Sequence, residues 1–134
     1  KSHLLRISAP DSRKKYFVFA PDAFFGIKSG RGKHIFFLEV DLGTETLSRF
    51  AEKVTAYKRY WKSHKYTEEY GFNHFRVLTV CESERRLANL IQATGKAGGR
   101  KMFLFTTFSA IQDNGSLGRV WLSPFTDLPT SLLE

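Results

Sequence analysis

Cysteine is almost missing from this 134-residue chain, which holds only Cys81. A lone cysteine excludes an internal disulfide and fits a reducing compartment, so a cytoplasmic location is expected. No apolar run approaches the roughly 18 residues of a membrane helix, and no signal peptide is visible. The chain starts at Lys1 rather than Met, so it is expected to be a fragment of a longer protein. With four prolines there is no proline-rich linker, and no repeat or low-complexity segment stands out. His3, His34, His64 and His74 lack zinc-ligand spacing with Cys81. The glycine-rich stretches SGRGKH and GKAGGRK lack the Gly and Lys spacing of a P-loop. Acid is in deficit as well, with 13 Asp and Glu against 21 Lys and Arg, a net charge of +8. That balance favours a polyanionic partner, nucleic acid first and an anionic membrane surface a weaker second.

What is present is apolar and aromatic. A hydrophobic share of 42% with thirteen phenylalanines supports one domain over residues 1–134 with a real core. YFVFA (Tyr16 to Ala20) reads as a strand stopped by Pro21. A second strand is expected from about Asp22 to Ile27, a turn at Ser29-Gly30-Arg31-Gly32, and a third strand from about His34 to Asp41. Thr44 or Thr46 can cap the helix that follows. Its core stripe reads Leu47, Phe50, Ala51, Val54, Lys58 and Trp61, with Tyr57 also inward and an end near Ser63. Lys65 to Asn73 reads as loop, and His74 to Val80 as a strand. A helix capped by Ser83 should face the core with Leu87, Leu90 and Ile91 and stop at Gly95 to Gly99. Met102 to Thr107 is a fifth strand, and Val120 to Leu122 an edge strand in a loop-rich tail. The order βββαβαβ predicts an α/β fold, a central mixed sheet flanked by helices.

Three acids stand among apolar neighbours in and beside the second and third strands: Asp22, Glu39 and Asp41. A hairpin folded symmetrically between Gly30 and Arg31 sets Asp22 directly across from Glu39, with Cβ atoms on the order of 5 Å apart. Facing like charges need compensation, and Mg²⁺, a hard cation, is often held by one or two carboxylates. Asp41, two residues beyond Glu39, shares its face, so three acids can converge. The competing reading makes Asp22 and Asp41 turn residues. It leaves Glu39, inside IFFLEV, without a partner or a task.

Pro21-Asp22 followed by a strand ending Glu39-Val40-Asp41 resembles the PD-(D/E)XK nuclease superfamily. Over about residues 16 to 95, PDAFF…IFFLEVDLGTE…KVTAYKRYW…FRVLTV is similar to the plasmid replication-relaxation family. The resemblance implies a restriction-endonuclease-like core and a role in plasmid or mobile-element replication and DNA relaxation. It implies Mg²⁺ or Mn²⁺ held by Asp22 and Glu39, with the Val40 carbonyl as a further ligand, for phosphodiester hydrolysis. It also suggests a helical DNA-binding domain upstream. The motif's lysine position holds Asp41 instead. Asp41 could then be a third ligand or an outer acid, and Lys53 of the next helix could supply the missing cation. Otherwise Lys53 is a surface lysine paired with Glu45, and the domain binds DNA or assembles with replication or transfer proteins without cutting.

Cations interleave with aromatics from Tyr57 to Tyr66. Arg49, Arg59, Lys62 and Lys65, with Lys28 and Arg31 at the hairpin tip, are the expected DNA contacts. Each can equally be a solvated surface charge. A third reading is an unrelated α/β binding module whose acids pair with nearby Lys or Arg.

Overall fold

The computed structural model describes residues 7–10 and 16–134. Two short strands, β1 (Ile7–Pro10) and β2 (Tyr16–Phe19), pair antiparallel and form a sheet of their own. The main sheet has the order β3-β4-β5-β6, with β3 (Ala23–Ser29), β4 (Gly32–Asp41), β5 (Arg76–Cys81) and β6 (Phe103–Thr107). β3 and β4 are antiparallel, while β4, β5 and β6 run parallel. An open four-stranded mixed sheet flanked by helices results. YFVFA was expected among the main strands, but β2 pairs with β1 instead, and β1 itself was not foreseen.

The hairpin register is the one the turn implied. Ser29 pairs with Gly32 and Ala23 with Leu38. Gly32 adopts φ 114°, a backbone shape that glycine takes without a Cβ clash. Along β4 the faces alternate, with Ile35 and Phe37 on one side and Phe36 on the other. Glu39 and Asp41 continue the Phe37 side.

Helix α1 (Leu47–Ser63) and helix α3 (Glu84–Lys96) cover that side. Thr46 and Ser83 cap them, each accepting a bond from the N–H three residues on (Arg49 and Arg86). The tail covers the other face with Trp121 and Leu132, and Leu122 bridges Phe105 of β6.

Three expectations need correction. The buried face of α1 is Phe50, Val54, Ala56, Tyr57 and Tyr60, whereas Leu47 and Trp61 are exposed. α1 is rolled because it packs against both the sheet and β1, which widens its buried arc beyond one stripe. Residues 65–70 are not loop but a short helix, α2 (Lys65–Tyr70), anchored by the fully buried Tyr66 against Tyr60, Phe72 and Phe75. His64, at φ 55°, turns the chain from α1 into α2. One aromatic anchor in a polar run leaves no periodicity to read. A last helix, α4 (Phe108–Asn114), occupies the start of the tail.

Candidate active site

Glu39 is 4% exposed, on the β4 face beneath α1. Tyr57 donates its hydroxyl to Glu39 Oε2 at 2.5 Å, and Lys53 Nζ donates to Oε1 at 3.1 Å. Lys53 and Tyr57 are four residues apart, hence on one helix face one turn from each other. Lys53 also pairs with Glu45 Oε2 at 2.9 Å. Lys53 thus pairs with Glu45, as one reading expected, and bridges it to Glu39.

Asp22 lies just before β3 and opposite this acid. Its own N–H donates to the Leu38 carbonyl at 3.0 Å, and its Oδ2 accepts from the Val40 N–H at 2.7 Å. The side chain thus clamps the hairpin end and stays exposed. Thr79 is the β5 neighbour of Glu39 in the ladder and shares its face. Its buried hydroxyl has no hydrogen-bond partner among the described residues.

Burial pushes the Glu39 pKa up; Lys53 and the Tyr57 hydrogen bond work against this without cancelling it, and the Asp22 charge adds to the rise. Burial likewise raises Tyr57, and the Glu39 charge raises it further, so the phenol stays a donor. For Lys53, burial favours the neutral amine, but the Glu39 charge and the bonds to Glu45 and Glu39 outweigh it and raise the pKa. Lys53 is a fixed cation beside an under-compensated acid.

This balance gives a pH signature. A carboxyl with a raised folded pKa contributes its stability below the ordinary value of 4.5 and loses it as pH climbs through the raised pKa. Glu39→Gln, which cannot ionise, should therefore gain stability relative to the wild type as pH rises above 4.5. Urea unfolding of both proteins across pH measures the difference, and a flat difference would show a carboxylate fully compensated by Lys53 and Tyr57.

Asp41 takes a separate course. Arg86 grips it with both arms, Nε to Oδ2 at 2.7 Å and Nη2 to Oδ1 at 2.8 Å, and also donates to the Glu45 carbonyl at 2.7 Å. Among the described residues no group of three or more His, Cys, Asp or Glu side chains is placed to hold a metal ion. The expected convergence of three acids is thus not found, because Arg86 neutralises the third. The residues that could hold a hard divalent cation are the smaller set, Asp22 and Glu39, beside the Thr79 hydroxyl, which has no partner among the described residues.

Sequence reading missed Arg86, Tyr57 as a partner of Glu39, and Thr79. Arg86 carried a faint indication, three residues after the Ser83 cap and so in the first turn of a helix. Of the expected DNA contacts, Arg49, Arg59, Lys62, Lys65, Lys28 and Arg31 are all exposed. Arg49 lies 3.9 Å from Glu52. Lys28 and Arg31 sit at the hairpin tip, about 24 Å along β4 from Glu39, so they do not join this site. Lys62 lies in a cleft beside Lys58, Trp61 and Arg100. His3 falls outside the described residues.

No curated protein and no solved structure matches the chain significantly. The family model described as replication-relaxation matches residues 5–75, more than half of the chain, a span that contains Asp22, Glu39, Lys53 and Tyr57. The chain belongs to the replication-relaxation family.

Proposed function

We propose that this domain is a metal-dependent DNA nuclease-like module of a plasmid or mobile-element replication protein, built on a restriction-endonuclease-like core. The observation that carries the reading is Lys53, which reaches Glu39 at 3.1 Å from α1. This contact supports a cation supplied beside Glu39 from another element in place of one at position 41. An antiparallel hairpin followed by two parallel strands, with acids at the hairpin end, supports the same core.

Asp22 and Glu39 would hold Mg²⁺ or Mn²⁺, with the Val40 carbonyl as a further ligand. When bound, such an ion supplies Lewis-acid polarisation of a phosphate and activation of water. Tyr57 fixes the Glu39 carboxylate by its hydrogen bond. Lys53 keeps a positive charge where an attacked phosphate gathers negative charge, and it orients the nucleophilic water.

A second reading rests on a specific observation. Both Glu39 oxygens and both Asp41 oxygens already have protein donors. In that reading the acids lock the sheet to α1 and α3, and the domain binds DNA, or replication and transfer proteins, without cleavage.

Calorimetric titration of Mn²⁺ into the wild type and Glu39→Ala, followed by incubation of both with supercoiled plasmid, separates the two. Metal binding and metal-dependent nicking, both lost in the variant, are expected. Metal binding without nicking indicates an incomplete site. Absence of metal binding would leave the acids as a structural lock.

A further inference from the structure

A second feature stands away from the acids. The C-terminal half of α1 and the loop joining α3 to β6 enclose a cleft of about 230 Å³ lined by Lys58, Trp61, Lys62, Gly98, Arg100 and Phe103, among others. Three of these six are cations. Trp61 is 38% exposed, although its neighbours along α1, Tyr57 and Tyr60, are buried. The indole has His64 as a tilted ring neighbour, 6.0 Å between centroids, and still leaves more than a third of its surface exposed, with Lys58 and Lys62 lining the same cleft. Gly98 lies at φ 89° and has no Cβ, and a Cβ there would collide with the Lys58 ammonium. Lys58 instead reaches the Ala97 carbonyl at 3.3 Å, holding its charge at the cleft. Arg100 is positioned by the Gly99 carbonyl at 2.9 Å and by the Phe125 ring, 4.5 Å from its centroid.

We propose that this cleft binds an unpaired segment of a nucleic acid strand, with a base stacked on Trp61 and phosphates on Lys58, Lys62 and Arg100. The proposal rests on the reading of DNA as partner and deepens it by naming single-stranded substrate. Stacking needs an exposed base face, which a paired duplex keeps inside its stack. The cleft is smaller than the roughly 300–1,000 Å³ that encloses a whole small ligand, which suits one part of a polymer. Trp61 lies eight residues along α1 from Lys53, about 12 Å on the helix axis. The cleft is therefore a separate subsite from the acid pair.

Trp121, the other tryptophan, is 2% exposed and donates its indole N–H to the Ser116 carbonyl, so it is a silent background. Oligothymidylate titrated into the whole chain in EDTA should quench the Trp61 emission, and a hairpin duplex of equal length should quench it far less. Three phosphate contacts predict a log–log salt slope of about −2 for a single strand. Trp61→Leu, followed by anisotropy of a labelled oligonucleotide, should weaken binding about 5- to 150-fold. Lys62→Gln with Arg100→Gln should cut the salt slope by about 1.4. Binding without quenching, equal quenching by duplex, or wild-type affinity in Trp61→Leu would overturn the proposal. Circular dichroism of each variant confirms that the fold is intact. EDTA removes the acid site from this assay, and metal calorimetry without DNA tests that site alone, so the two failures are distinguishable.

Discussion

Replacing Arg86 by alanine is expected to lower the unfolding free energy by about 3–5 kcal/mol, the cost of stranding a buried charge. Asp41 is 5% exposed, and both its oxygens are met by the Arg86 guanidinium. The same guanidinium ties the Glu45 carbonyl, so one side chain joins the end of β4, the loop before α1 and the first turn of α3. Removal leaves a carboxylate with neither water nor a counter-charge. Asp41→Leu combined with Arg86→Leu should recover most of the loss, since well-packed apolar replacements of a buried pair are often neutral or better. Urea unfolding of the wild type, Asp41→Leu, Arg86→Leu and the double variant forms the cycle. A loss below about 1 kcal/mol, the range of an exposed pair, would show that water reaches Asp41. Asp41 would then again be a candidate ligand beside Glu39.

On the proposed nuclease function, Lys53→Met should slow metal-dependent nicking by about 10²- to 10³-fold, the usual effect of removing one preorganised donor to transition-state charge. Methionine keeps the length and apolar stem of lysine and removes only the ammonium. Glu39 loses its nearest cation at the same time, so its pKa, already raised by burial, should rise further. The alkaline shift of the pH–rate profile that follows separates a charge effect from a packing effect. Lys53→Arg retains the charge and should recover part of the rate. Wild-type nicking in Lys53→Met would remove Lys53 from catalysis. Loss of rate with an unmoved pH profile would point to a merely structural contact.

The two variants probe what was legible at unequal depth. The hairpin register followed from Ser29-Gly30-Arg31-Gly32, because a two-residue turn leaves one pairing that keeps the apolar face buried. The Ser83 cap was legible and the cap of α1 was narrowed to Thr44 or Thr46, of which Thr46 serves, since a hydroxyl before a periodic run meets local backbone needs that no distant contact changes. The family was legible too, because its motif lies in consecutive elements. The roll of α1 was not. Its residues offer two overlapping apolar arcs, and only packing against β1 and the sheet selects Ala56 and Tyr60 over Leu47 and Trp61.

By itself, then, the sequence determined the four strands of the central sheet, though not that YFVFA pairs outside it, together with the hairpin register and the placing of Asp22 opposite Glu39, all consequences of local chain geometry. Only the tertiary structure decided which cation meets which acid. Lys53 was free to reach Glu45 or Glu39 and takes both, while Asp41 is claimed by Arg86, 45 residues away in sequence. Such pairings depend on where separate elements come to rest and which charges are desolvated together, and no spacing along the chain records that.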